Sequence, residues 1–227
     1  MKNAVAVIVA GGTGSRLKSR IHKPFVVLAG RPMLAWTLAA FEKTAGIGGI
    51  VLVAHGSDQA RARSLVRRFK FRKVLAVVAG GATRMESVSF GLRAVPPWGR
   101  WVAVHDAARP MVTARLIDAA LREARRSKAV ITAVPVIPTV KEARDGHVTR
   151  TLDRSRLWAV QTPQVFERKL LERAHAKGRA QRVAATDDAA LVERLGVKVR
   201  IVPGLERNIK VTTPDDRVVA EAFLRCG

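Results

Sequence analysis

The chain has 227 residues, 48% of them apolar, and carries 41 Lys and Arg against 18 Asp and Glu, a net charge of +23. That is enough for one domain, residues 1–227, with a sizeable core. No apolar run approaches a membrane span, the short apolar N-terminal stretch runs into a glycine loop and not a signal-peptide cleavage site, and the single cysteine, Cys226, excludes an intrachain disulfide framework or a cysteine-based metal site. A reducing, cytoplasmic setting is expected. The cations are spread over helix-like stretches such as Arg61-Ala62-Arg63 and Arg122–Arg126. They read as solvated helix faces, so neither a membrane nor a specific nucleic acid is expected as partner, although the field should attract polyphosphates.

Near-continuous apolar, β-branched runs mark strands at Ala4–Ala10, Ile50–Ala54, Val74–Val78, Trp101–His105 and Ala129–Val134, the pattern of a parallel sheet covered on both faces. Amphipathic stretches between them predict helices at Met33–Thr44, Asp58–Phe69, Met85–Ala94 and Ala114–Arg126. Pro32 suits a first helical turn, and Ser57 and Thr113 suit N-caps. Strand–helix alternation of this kind implies a doubly wound α/β fold of Rossmann-like type. Asp145-Gly146, between two polar arms, is a hairpin signal that breaks the rhythm at residues 139–154. The arms hold too few apolar residues for a core of their own, so the hairpin is either a solvated flap or an arm packed on another subunit; the residues alone favour the flap. Helices at Glu167–Lys177 and Asp187–Leu195 and a strand at Val197–Val202 follow. The last helix opens at Thr213-Pro214-Asp215-Asp216, with Asp216 at the capping-box position.

The first strand delivers the chain into Ala10-Gly11-Gly12-Thr13-Gly14-Ser15-Arg16. Glycines let backbone N–H groups approach an anion closely, and arginine adds a charged planar fork. Lys23 supplies a second cation. The loop is neither a P-loop, which needs Gly-Lys-Ser/Thr, nor a dinucleotide fingerprint, since Leu17 stands where the third glycine belongs. His105-Asp106-Ala107-Ala108-Arg109-Pro110 follows another strand directly, so Asp106 reaches the same crevice. A lone carboxylate beside a triphosphate suits Mg²⁺, or else Asp106 caps the following turn. His105 reads as a packing residue. A second glycine loop, Gly80-Gly81, offers backbone groups that could read a base edge. Gln161-Thr162-Pro163-Gln164, Thr186-Asp187-Asp188 and Asn208-Ile209-Lys210-Val211-Thr212 are polar clusters with less obvious structural reasons. Thr186 is a candidate N-cap, and Lys210 is a further candidate cation.

In this order these motifs resemble the 2-C-methyl-D-erythritol 4-phosphate cytidylyltransferase family, over almost the whole chain. The resemblance implies CTP as co-substrate, Mg²⁺ or another divalent cation, a homodimer and a nucleotidyltransferase fold with a protruding β-hairpin arm. It implies that Ala10, Gly11, Gly12, Gly14, Arg16 and Lys23 hold the triphosphate and that Gly81 and Ser87 contact the cytidine. Asp106 would be the metal ligand. Ala107, Arg109, Thr162, Thr186 and Lys210 would surround the methylerythritol phosphate, with Arg16, Lys23 and Lys210 catalytic. Thr139 and Arg154 would reach the neighbouring subunit's substrate, which turns the flap into a dimerisation arm. Two departures stand out. His22-Lys23-Pro24 replaces the usual Pro-Lys-Gln, and Pro138 precedes Thr139 where an Asp is common. No second catalytic domain is expected after the last helix. The resemblance also leaves a ribitol 5-phosphate cytidylyltransferase as an alternative.

Overall fold

The computed structural model describes residues 2–12, 17 and 21–225. Its strands are β1 (Ala4–Ala10), β2 (Val27–Leu28), β3 (Arg31–Pro32), β4 (Ile47–Ala54), β5 (Val74–Ala79), β6 (Trp101–Asp106), β7 (Ala129–Pro135), β8 (Lys141–Arg144), β9 (His147–Thr151), β10 (Trp158–Glu167) and β11 (Arg200–Pro203). Its helices are α1 (Met33–Lys43), α2 (Gln59–Arg68), α3 (Arg84–Arg93), α4 (Ala114–Ser127), α5 (Arg168–Ala180), α6 (Asp188–Glu193) and α7 (Pro214–Arg225). Seven strands form one sheet in the order β11-β7-β10-β6-β1-β4-β5. All neighbours pair in parallel except at β10, which runs antiparallel to both β6 and β7. The expected doubly wound, mostly parallel α/β sheet is therefore present.

Alternation along β1 explains the two layers. Ala4, Ala6 and Ile8 join Leu34, Leu38 and Phe41 of α1 and Ile117 and Leu121 of α4 in one core. Val5 and Val7 point the other way and join Val88 and Leu92 of α3 and Leu171 of α5 in a second core. A strand apolar on both faces is what a two-sided burial demands. Gly91 shows how tightly α3 sits on the sheet: a Cβ there would stand 2.5 Å from Val7 Cγ1 and 2.8 Å from Val53 Cγ2. A third, smaller core of Leu28, Met33, Met111 and Val211 docks α7 through Ala220.

The five expected strands and the first four helices form within a few residues of their expected bounds. Thr113 caps α4 by accepting from the Leu116 N–H, and Asp216 accepts from the Thr212 and Thr213 amides at the start of α7. Two expectations need correction. Ser57 lies inside a 3-10 turn, and Asp58 holds the N-cap position of α2. Asp187, not Thr186, caps α6 by accepting from the Ala190 amide. The polar cluster Gln161-Thr162-Pro163-Gln164, for which the sequence offered no structural reason, lies within β10, inside the sheet. The hairpin forms as expected. Asp145 (φ 51°) and Gly146 (φ 78°) make a two-residue turn with both residues left-handed. Every residue of β8 and β9 is exposed.

Candidate active site

The crevice opens beyond the carboxyl ends of β1, β5 and β6, where an open α/β sheet binds its ligands. Its cavity is about 500 Å³, and Gly11, Gly12, Lys23, Ser87, Asp106 and Lys210 line it. Ala10, Gly81, Ala107 and Arg84 also face it. The structure thus brings together nine of the residues expected at the site. Gly14 and Arg16 lie outside the described residues.

Asp106 is the only carboxylate among the described residues lining this cavity. Its position is fixed from below. The Asp106 amide donates to Thr162 Oγ (3.1 Å), and the Thr162 hydroxyl lies 2.9 Å from His105 Nδ1. His105 Nε2 lies 3.3 Å from the Arg109 carbonyl. This pattern suits a neutral imidazole that accepts at Nδ1 and donates at Nε2. Burial pushes the His105 pKa down to about 3, against the nearby Asp106 charge. His105 is a packing and hydrogen-bonding residue, as its place at a strand end suggested.

Two cations hold the Asp106 carboxylate. Arg84 Nε donates to Oδ1 (3.1 Å), and Lys210 Nζ donates to Oδ2 (2.7 Å). Burial alone would raise the Asp106 pKa, but Arg84 and Lys210 together hold it well below the usual carboxylate range. Lys210 is delivered by a strand-like contact in which the Val211 amide donates to the Ala108 carbonyl (2.9 Å). Arg84 is the first residue of α3, placed by a capping box between Thr83 and Glu86. Its Nη1 also donates to Asp188 Oδ2 (2.8 Å), and the other Asp188 oxygen lies 3.0 Å from His175 Nε2. Asp188 and His175 are each only 1% exposed. Burial would raise the Asp188 pKa, yet Arg84 and the His175 contact lower it. A continuous chain of hydrogen bonds and ion pairs therefore runs His175–Asp188–Arg84–Asp106–Lys210, from the core to the crevice.

Arg84 and Asp188 are the residues bonded to this site to which sequence reasoning gave no role. Arg84 stood in the second glycine loop and Asp188 in a helix start, with nothing local to show that they meet. The second glycine loop is itself tightly built. Gly80 donates to the Ala54 carbonyl (2.7 Å) and Gly81 to Ser87 Oγ (3.1 Å). A Cβ on Gly81 would stand 2.4 Å from Glu86 Cβ, so glycine is required there.

The polar cluster in β10 ties three segments together. Gln161 accepts from Leu205 N and Asn208 Nδ2, and Asn208 Nδ2 also donates to the Thr162 carbonyl. Gln164 accepts from the Asp188 and Ala189 amides (3.2 Å each) and donates to Asp187 (2.7 Å). These glutamines position the Lys210 segment and the Asp188 helix. Thr162, 5% exposed, supports Asp106 from beneath and does not line the cavity. Arg109 is also turned inward: it donates to the Asn208 and Val160 carbonyls, and burial lowers its pKa. Thr186 is exposed beside α6, and Thr139 is exposed at the base of the hairpin. Arg154, likewise exposed, donates to the Ile137 carbonyl of its own chain (2.6 Å). None of these last three lines the cavity.

The family model described as 2-C-methyl-D-erythritol 4-phosphate cytidylyltransferase matches residues 4–226. A curated protein of that name from Desulforamulus reducens is 46% identical over 227 residues, 99% of this chain and 97% of its own. Another from Syntrophus aciditrophicus is 43% identical over 97% of this chain and 95% of its own. The crystal structure of 4-diphosphocytidyl-2C-methyl-D-erythritol synthase from Anaerococcus prevotii superposes with a TM-score of 0.87 at 32% identity, covering 99% of this chain and 97% of that one. The chain belongs to the 2-C-methyl-D-erythritol 4-phosphate cytidylyltransferase family.

Proposed function

We infer that the crevice transfers CMP from CTP to 2-C-methyl-D-erythritol 4-phosphate, giving 4-diphosphocytidyl-2-C-methyl-D-erythritol and pyrophosphate, a step of the non-mevalonate isoprenoid pathway. The observation that carries this reading is the clamped carboxylate in a cation-lined cavity of nucleotide size. The family match favours methylerythritol phosphate over ribitol 5-phosphate as acceptor.

The acceptor is a phosphate monoester, whose second pKa of about 6 leaves it largely ionised at neutral pH. It needs no general base, and the neutral, fully bonded His105 offers none. The problem is repulsion between two anions. Lys23 and Lys210 supply positive charge to the crevice, and Arg84 adds a third cation held by two carboxylates. The backbone of Gly11 and Gly12 would cradle the triphosphate, and that of Gly81, fixed by Ser87, would read the cytosine edge. Catalysis is then positioning and charge neutralisation for in-line attack on the α-phosphorus.

A divalent cation fits this site in a specific way. Among the described residues the only lining carboxylate is Asp106, and one carboxylate plus substrate phosphates and waters is a usual Mg²⁺ arrangement. Each Asp106 oxygen that accepts from Arg84 or Lys210 keeps a second lone pair for such an ion. Bound there, Mg²⁺ would neutralise triphosphate oxygens.

The hairpin supports a homodimer with shared sites. It is solvent-exposed along its length, Val148 is 62% exposed, and Ile137 at its base is 65% exposed. A polar two-stranded ribbon gains stability only by docking. Thr139 and Arg154 would then meet the acceptor bound by the other protomer. No helix among the described residues is long and apolar enough to cross a membrane, which suits a cytoplasmic enzyme. Pyrophosphate release from CTP and from UTP, with methylerythritol phosphate as acceptor, tests the reading. CTP should be strongly preferred, because fixed backbone donors and acceptors are left unpaired by the wrong base. Equal kcat/KM for both nucleotides would overturn the assignment of the Gly81 loop.

A further inference from the structure

Beside the crevice stands a cluster that the transfer reaction does not use. His22 precedes the 3-10 turn that holds Lys23, His55 follows β4, and Asp58 stands at the entry to α2. One ligand atom from each lies within 4.8 Å of the other two. The rings meet edge to face with centroids 5.3 Å apart, and His22 Nδ1 is 2.6 Å from Asp58 Oδ2.

Two features set this group apart from a chance surface contact. Asp58 occupies the N-cap of α2, where a carboxylate ordinarily accepts from the first-turn amides. Its side chain makes no such bond and turns to His22 instead, although it is only 9% exposed. His55 is held at one ring nitrogen: Nδ1 lies 2.8 Å from Ser57 Oγ, and in the tautomer that donates to this hydroxyl Nε2 carries no proton. That leaves Nε2 for another ligand. An imidazole oriented through one nitrogen and coordinating through the other is the usual arrangement around a protein-bound metal.

We propose that His22, His55 and Asp58 form a binding site for a divalent transition ion of the zinc or cobalt class. Two imidazoles and a carboxylate suit such ions, whereas Mg²⁺ and Ca²⁺ favour all-oxygen sites. Ligand distances of about 2.0–2.2 Å place neighbouring donors about 3.4 Å apart. The widest separation the triad allows, 4.8 Å, needs to close by about 1.4 Å at most, a movement the exposed His55 side chain can make, while the 2.6 Å contact between His22 Nδ1 and Asp58 Oδ2 opens as the ion takes the place of the shared hydrogen. Three protein ligands leave a coordination position open. His55 and Lys23 both line the crevice, so, resting on the proposed binding of CTP there, that position would take water or a phosphate oxygen. The site shares no residue with Asp106.

The test uses untagged protein, without nucleotide, so its failure is separable from failure of the transfer reading. Co²⁺ is titrated while its visible d–d absorption is followed, and Zn²⁺ is then added as competitor. The expected result is one equivalent of Co²⁺ bound at micromolar concentration with the intense band of a four- or five-coordinate ion, displaced by Zn²⁺ and untouched by excess Mg²⁺. His55→Ala, at an exposed position, should weaken binding by about 100-fold, and His22→Ala should do the same. Asp106→Asn should keep the band. The proposal is overturned if wild-type protein shows no band below millimolar Co²⁺, if both histidine variants bind as wild type does, or if Asp106→Asn abolishes the site. In the first case the cluster is only a His22–Asp58 hydrogen bond.

Discussion

Replacing Arg84 by methionine tests whether the ionic chain is structural and catalytic at once. The guanidinium, 26% exposed, is the partner of two buried carboxylates, at 3.1 Å and 2.8 Å. Breaking a buried pair by removing one member costs roughly 3–5 kcal/mol. Both carboxylates keep a second partner, Lys210 for Asp106 and His175 for Asp188, so the lower end applies, about 3 kcal/mol. For a domain of this size that is a fall in Tm of roughly 6–12 °C. The pH dependence carries a sign. Both aspartates have depressed pKa values in the folded protein. Their stabilisation is therefore complete above the unfolded carboxylate pKa of about 3.9 and lost as pH falls through the lower folded value. The gap between wild type and Arg84→Met should be widest near neutrality and should narrow below about pH 4. Calorimetry across pH 3–8 reads both effects. Arg84→Lys should recover only part of the loss, because one ammonium cannot bridge two carboxylates as a planar fork does. A Tm for Arg84→Met equal to wild type at pH 7 would refute the ionic-chain argument.

Asp106→Asn keeps the shape of the site but removes the carboxylate that lines it; kcat should fall by about 10²–10³, with the circular dichroism spectrum intact. Because burial holds the His105 pKa near 3, the unfolded chain binds the extra proton first. Stability should therefore decline as pH falls below about 6.5, and His105→Gln should flatten that limb in urea titrations at pH 4.5–6.5 without removing an arm of the pH–rate profile. Arg154→Ala should raise KM for the polyol phosphate more than for CTP. Heterodimers of Arg154→Ala with Asp106→Ala subunits should regain activity, since one site then has both groups; absence of recovery would contradict the shared-site arrangement.

The parallel frame was legible because it is written locally. Ala4–Ala10 and Trp101–His105 are apolar on both faces, and only a doubly covered strand needs that. The glycine loop and Asp106 were legible because a strand end in this topology has one destination. β10 was not. Pro163 and two glutamines contradict the strand pattern, and their purpose appears only when Gln161 and Gln164 are seen bonding the 205–208 segment and the start of α6. Arg84 escaped for a related reason: its partners lie 22 and 104 residues away, and no local spacing encodes a pairing made by tertiary packing. Thr162 was expected against substrate and instead supports Asp106 from below, a role that depends on the neighbouring strand.

The proposed reaction joins CMP to 2-C-methyl-D-erythritol 4-phosphate in this crevice. The most direct measurement is phosphorus NMR and mass analysis of the product formed by purified protein from CTP and either that acceptor or ribitol 5-phosphate, with Mg²⁺ present. The expected result is a diester diphosphate of 4-diphosphocytidyl-2-C-methyl-D-erythritol, formed with equimolar pyrophosphate, and little product from ribitol 5-phosphate. Turnover of ribitol 5-phosphate alone, or no CTP-dependent product with either acceptor, would contradict it.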